Sequence, residues 1–298
     1  MFHLTKVQNN WTFTIYHSTL FFNFVVIMIS KARIKQIRGL ERKKNRVAEG
    51  LFVAEGPKLV GELLAVVRPH YVAAEDEWLE EHKRELQGVP CDTVSLDELQ
   101  RASLLQHPQQ VLALFPIPQV EGNMSEIAER ELTLALDGVQ DPGNLGTIVR
   151  LADWFGISHI FCSPDSADIY NPKATQATMG ALARVSVHYC ELAQELCKTS
   201  APIYGTFLDG QNIYHQELSS NGVIIMGNEG QGIRKETAAC VSHRLFVPPF
   251  PTNRSTVESL NVAIATAIVC AEFRRKTPLS LGSKRRLPEQ ELSPWGKK

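Results

Sequence analysis

At 298 residues, with 44% hydrophobic and 21% charged residues, the chain is long for one compact domain, comfortable for two, and ordinary for a globular protein. A net charge of −1 argues against indiscriminate attraction of the whole molecule to nucleic acid. The six cysteines (Cys91, Cys162, Cys190, Cys197, Cys240 and Cys270) form no Cys-x-x-Cys pair and no His/Cys cluster, which argues against a structural disulfide or a bound metal.

The first segment is unusual. Trp11 to Ile29 is apolar and aromatic, but Thr14, His17, Ser18 and Asn23 interrupt it and no small-residue cleavage site follows. It makes a poor membrane span and a poor signal peptide. Residues 1–27 are expected to be a non-native or disordered extension before Met28, with a membrane anchor as the competing reading.

A first domain is expected over residues 28–116. Lys31 to Ala48 reads as one basic helix carrying Lys31, Arg33, Lys35, Arg38, Arg42, Lys43, Lys44 and Arg46 against the single acid Glu41. That pattern fits either a solvated helical face or an arm that meets nucleic acid. Strands over 50–54, 70–74 and 111–115 alternate with helices over 58–66 and 77–86, which implies a mostly parallel sheet. The stretch Phe115 to Ser125, FPIPQVEGNMS, has two prolines, a glycine and no regular period, so residues 117–128 are expected to be a linker.

A second α/β unit is expected over residues 129–276. Its strands fall at 132–136, 159–162, 186–188, 203–207, 223–226 and 245–247. Helices are expected at 145–155, 173–183, 191–198, 233–240 and 258–275. The pattern is that of an open, doubly wound sheet. The residues 277–298 form a basic tail in which Lys284, Arg285 and Arg286 could meet phosphates.

Three segments of this unit carry candidate chemistry. In LALDGVQDPGNLGTIVRLADWFG (134–156) an apolar strand passes through a Pro-Gly turn into a helix, with Asn144 at the N-cap position. Leu145, Ile148, Val149, Ala152 and Phe155 share one stripe, so Arg150 and Trp154 fall on the opposite side, where a subunit or ligand could cover them. In IIMGNEGQGI (224–233) a strand runs into Gly227, Gly230 and Gly232, which permit close approach and positive φ; Glu229 could bind a hydroxyl or pair with Arg150. This loop lacks the dinucleotide spacing and the phosphate-loop lysine. In LFVPPFPTNRSTVESLNVAIATAIVCAEF (245–273), Ser255 and Glu258 have capping-box spacing, and Ser259 and Asn261 stand in the first turn of a small-residue helix.

Together these segments resemble the SpoU (TrmH) family of RNA ribose 2′-O-methyltransferases, within the knotted SPOUT superfamily. The likeness rests on Asn144 to Arg150, Gly227 to Gly232 and Glu258 to Val262, in that order, and covers about Leu132 to Phe273. FVAEGPK (52–58) makes the first domain similar to the small substrate-binding domain of many members, which is ribosomal-protein-like in fold.

The resemblance implies an α/β trefoil-knotted C-terminal domain and an S-adenosylmethionine pocket near Thr206, Gly227, Val247, Leu260 and Asn261. It implies a cytoplasmic homodimer without membrane association, acting on RNA, with ribosomal RNA favoured over transfer RNA. Arg150 would help activate the ribose hydroxyl, as a base or by stabilising the alkoxide, with Asn144, Glu229, Ser259 and Asn261 positioning the site. Arg42, Lys43, Lys44, Arg46 and Lys58 would meet RNA. A non-catalytic RNA-binding protein of the same fold is the alternative. Here Pro248 to Thr256 is longer than the usual family stretch and lacks glycine, so it is expected to reshape the pocket mouth or to contact RNA through Arg254.

Overall fold

The computed structural model describes residues 2–7, 10–15, 29–251, 259–275 and 295. Arg254, the Ser255–Glu258 spacing and the basic triplet 284–286 lie outside these residues. Near the N-terminus, β1 (Phe2–Val7) and β2 (Asn10–Ile15) pair antiparallel, from Phe2 with Ile15 to Val7 with Asn10. Of the non-native or disordered extension expected over residues 1–27, these twelve residues form a strand pair. In NWTFTI, Trp11, Phe13 and Ile15 alternate with Asn10, Thr12 and Thr14, a period-2 pattern of strand-forming residues.

The rest divides into two compact units, one of residues 29–60 and 68–116, the other of 117–275 grouped with 61–67. In the first, the helix expected over 31–48 is two helices, α1 (Lys31–Gly39) and α2 (Lys43–Glu49). Leu40 breaks the run by turning fully into the core. The Arg46 guanidinium then donates to the carbonyls of Leu40 and Glu41 at 2.8 and 2.7 Å, and Asn45 Nδ2 to that of Gly39 at 2.6 Å. Carbonyls that helix α1 leaves free are thereby satisfied.

After α2 come β3 (Leu51–Glu55), α3 (Pro57–Leu64), β4 (Tyr71–Ala74), α4 (Asp76–Glu81), β5 (Cys91–Thr93), α5 (Leu96–Ala102) and β6 (Val111–Pro116). The sheet order is β3-β6-β4-β5, and β6 runs antiparallel to both β3 and β4. Only β4 and β5 are parallel, which corrects the mostly parallel expectation for this unit. Helix α3 returns the chain so that β4 runs in the same sense as β3 with room for a strand between, and β6 fills that gap. Strand β5 carries no apolar alternation, Cys-Asp-Thr, which is why periodicity does not reveal it. Ile37 and Leu40, Val53 and Leu114 from the sheet, and Leu99 from α5 form one core cluster.

The second unit begins with α6 (Met124–Ala128), followed by β7 (Leu132–Asp137), α7 (Pro142–Trp154), β8 (His159–Cys162), α8 (Pro172–Ala177), β9 (Ser186–Tyr189) and α9 (Leu192–Leu196). It continues with β10 (Ile203–Asn212), β11 (Gly222–Gly227), α10 (Lys235–Ala238), β12 (His243–Phe246) and α11 (Val262–Arg275). The strands form one sheet in the order β12-β10-β11-β7-β8-β9, parallel at every pairing, in agreement with the doubly wound pattern. Met124, Ala128, Leu192 and Leu196 pack with Ala135, Phe161, Ile203 and Ile225 in one cluster. Helices α7 and α11 pack together, α11 also meeting β11. Every residue of β7 is buried, as a central strand covered on both faces requires.

Candidate active site

Asp141, not Asn144, caps helix α7: its carboxylate accepts from the Asn144 N–H at 2.8 Å, and Pro142 occupies the first helical position. Pro needs no N–H there and supplies a helical φ, so the Pro-Gly stretch expected as a turn is the first turn of the helix. The Asn144 side chain is thus freed from capping. Gly146 lies against the backbone of Ala174 and the Cβ of Ala177, leaving no room for a side chain, so α7 sits tightly on α8.

Three expected site residues meet in a directed chain. Helix α11 begins at Val262, and Asn261 is its N-cap, Oδ1 accepting from the N–H groups of Ala263 and Ile264 at 3.0 and 3.3 Å. Ser259 therefore precedes the helix instead of standing in its first turn. With its oxygen committed, the Asn261 amide turns Nδ2 to Asn144 Oδ1 at 3.0 Å. Asn144 Nδ2 in turn donates to Glu229 Oε1 at 2.5 Å. A carboxylate can only accept and backbone N–H groups can only donate, so the ends fix both amide orientations. Ser259 Oγ reaches the Glu229 carbonyl at 3.5 Å. Glu229 pairs with Asn144 and not with Arg150.

The glycine loop is built on itself as much as toward a ligand. Asn228 and Gly232 exchange backbone hydrogen bonds, and a Cβ on Gly227 would collide with the backbone of Gly232 and Ile233. Gly232 has φ +71°, whereas Gly230 needs no positive φ. Asn228 Oδ1 accepts from the N–H groups of Gly230 and Gln231 at 2.9 and 3.1 Å, and its Nδ2 donates to the Gly138 carbonyl at 2.9 Å.

Asp137 and Arg234 anchor the far end. Asp137, side chain wholly buried, accepts from the Arg234 N–H at 2.9 Å and from its Nε at 2.6 Å, and Arg234 Nη1 reaches Asp165 at 3.4 Å. Because Asp137 also stands opposite Gly227 in the sheet, both ends of the loop are held at the end of β7. Sequence reasoning missed Asn228, Asp137 and Arg234. The available signal was a polar Asp closing an otherwise apolar strand, which demands a partner when buried.

Between this loop, β10 and β12 lies a cleft of about 380 Å³ lined by Thr206, Met226, Gly227, Glu229, Val247, Ser259 and Leu260 among others. The expected cofactor positions Thr206, Gly227, Val247 and Leu260 all reach it; Asn261 adjoins it through Leu260. Strand β10 continues past the expected end at 207. Thr206 and Gln211 both stand opposite Leu245, so residues 207–210 bulge out beside the cleft. Arg244 holds that bulge, its guanidinium 3.5 Å over the Phe207 ring and 2.5 Å from Asp209. An Asp-Gly pair at 209–210 was the legible turn signal.

Arg150 is exposed and makes no hydrogen bond or ion pair among the described residues, and Trp154, one turn on, is 84% exposed. Neither lines the cleft. Leu260, just before α11, and Ile264, on it, are also exposed, at 45% and 55%. In the first unit Arg42, Lys43, Lys44 and Lys58 are exposed. Arg46 is 2% exposed and spent on the carbonyls closing α1, which removes it from that set.

Comparison with known proteins gives a consistent picture. Residues 131–271 match the SpoU rRNA methylase family and residues 31–113 an MRM3-like substrate-binding domain. The chain is 31% identical over 250 residues to the 23S rRNA (guanosine(2553)-2′-O)-methyltransferase RlmP of Bacillus subtilis, covering 81% of this chain and 96% of that protein. It is 31% identical over 165 residues to the 23S rRNA (guanosine-2′-O-)-methyltransferase RlmB of Neisseria meningitidis, covering 54% of this chain and 64% of that protein. Among solved structures, AdoMet-bound rRNA methyltransferase from Sinorhizobium meliloti superimposes with a TM-score of 0.75 at 28% identity, covering 85% of this chain and 98% of that one.

Proposed function

This chain belongs to the SpoU rRNA methylase family, and we propose that it transfers a methyl group from S-adenosylmethionine to a ribose 2′-hydroxyl of ribosomal RNA. The single observation that carries this reading is the Asn261–Asn144–Glu229 chain, which brings all three family segments to the cleft wall. The cleft suits the donor: Met226, Leu245, Val247 and Leu260 offer apolar contact, and the main chain of 227–232 together with Thr206 offers polar contact.

S-adenosylmethionine, when bound, supplies an electrophilic methyl group, so the residues' task is alignment and charge. Asn144 and Glu229 hold the glycine loop that forms the cleft wall. Arg150 stabilises the alkoxide that develops on the ribose oxygen, because a guanidinium is too weak an acid to serve readily as a base. Lying outside the cleft of its own chain, it acts at the site of a second copy. The exposed Trp154 and Ile264 on the packed pair α7 and α11 supply the apolar surface of a homodimer. Chain passage from β12, at the sheet edge, to α11, against α7 and β11, suits the family knot. Arg42, Lys43, Lys44 and Lys58 guide RNA from a substrate-binding domain of residues 28–116, and the protein works in the cytoplasm. Among the described residues no helix is long and apolar enough to cross a membrane.

The test is transfer of labelled methyl from S-adenosylmethionine to unmodified ribosomal RNA, with nuclease mapping of the product. A labelled 2′-O-methylribose is expected; absence of both transfer and cofactor binding would overturn the proposal.

A further inference from the structure

Helices α9 and α10 bring two thiols together far from one another in sequence. Cys197 closes the C-terminus of α9 and is exposed; Cys240 follows α10 and is half-buried, its Sγ 3.0 Å from that of Cys197. Cys240 also lies 3.6 Å from the carbonyl of Ala193 and 3.7 Å from that of Glu236, so its thiol sits at a fixed place between the two helices. Neither sulfur takes part in the cleft or in the Asn261–Asn144–Glu229 chain. We propose that Cys197 and Cys240 form a reversible oxidation site, joined as an intramolecular disulfide by exchange with a small-molecule disulfide such as oxidised glutathione.

The chemistry balances in two exchanges. The Cys197 thiol loses its proton to solvent, and its sulfur attacks one sulfur of the oxidant, breaking the oxidant's S–S bond and releasing one glutathione thiolate. Cys240 then loses its proton, and its sulfur attacks Cys197 Sγ, forming the protein disulfide and expelling the second glutathione. Two protein thiols are oxidised and one disulfide is reduced to two thiols. Exposure makes Cys197 the attacking sulfur. Burial first, and the contact with Cys197 second, push the Cys240 thiol up to about 11, so it reacts second, attacking from its place beside Cys197 once its proton has passed to solvent. Of the other cysteines, Cys162 and Cys270 are buried and Cys91 and Cys190 half-buried, so none is exposed as Cys197 is. The bond would tie α10, which begins directly after Arg234 and the glycine loop, to α9.

The experiment exposes the full chain, without denaturant, to oxidised glutathione and reads the intact mass and a non-reducing peptide map. Expected are loss of two hydrogens, one cross-linked peptide pair containing Cys197 and Cys240, and reversal by dithiothreitol. In Cys240→Ala the glutathione adduct should remain on Cys197. A lasting adduct on Cys197 of the unsubstituted chain with Cys240 still free, or recovery of both thiols unmodified, would overturn the proposal. This outcome is independent of methyl transfer.

Discussion

At the scale of single residues, the polar chain is polar in direction as well as in kind. Asn144 must present nitrogen to Glu229 and oxygen to Asn261. Asn144→Asp keeps the shape but sets a carboxylate against a carboxylate. Like charges in contact raise the folded-state affinity for a proton, so this variant should lose stability at neutral pH and regain it as pH falls toward about 5, by about 1–2 kcal/mol. Thermal melts at both pH values check it, and an unchanged pH profile would refute the chain as drawn. Arg150→Ala should abolish methyl transfer while changing S-adenosylmethionine affinity less than about threefold, or roughly 0.6 kcal/mol; calorimetry beside a transfer assay separates the two. The family segments identify Asn144, Glu229 and Asn261 by position. What they hide is that Asp141 does the capping, since only the helix start at Pro142 reveals which side chain is left free.

Elements show how tightly the loop and sheet constrain one another. Gly227→Ala would drive a methyl into the Gly232 and Ile233 backbone, so the loop must move; about 1–3 kcal/mol of stability and at least tenfold in cofactor affinity should go with it. Binding isotherms within twofold of the parent would count against the cleft wall described above. On β8 and β9, His159 Nδ1 and His188 Nε2 lie 3.0 Å apart. Burial, then the neighbouring His159, holds His188 down at about 4 from 6.5. The folded state therefore binds fewer protons than the unfolded chain in that window, and stability should fall as pH drops from about 6.5 to 4. A His188→Gln variant should show a flatter profile over the same range in chemical denaturation. Periodicity makes the strands legible, because buried parallel strands are apolar runs; the mixed order β3-β6-β4-β5 is not, because no local pattern states which strand enters a gap.

For the whole molecule, the exposed Arg150 and Trp154 require a partner surface if the proposed reaction is to occur. Sedimentation at micromolar concentration should show a dimer, and Trp154→Glu should shift it to monomer and depress transfer with it; an active monomer would refute the shared site. The sequence shows that face plainly through its helical stripe, yet the covering surface cannot be read from one chain's period. The sheet's own connectivity carries a temporal consequence. Leu132 to Asp137 pairs with Gly222 to Gly227, so β7 waits for a strand synthesised long after it. Pairings of such sequence separation are slow to close. Until β11 emerges, the apolar edge of LTLALD stands open to other nascent chains, a hazard that grows with any pause in translation before residue 222. Crowded synthesis would then convert this strand from the centre of the sheet into the seed of an aggregate.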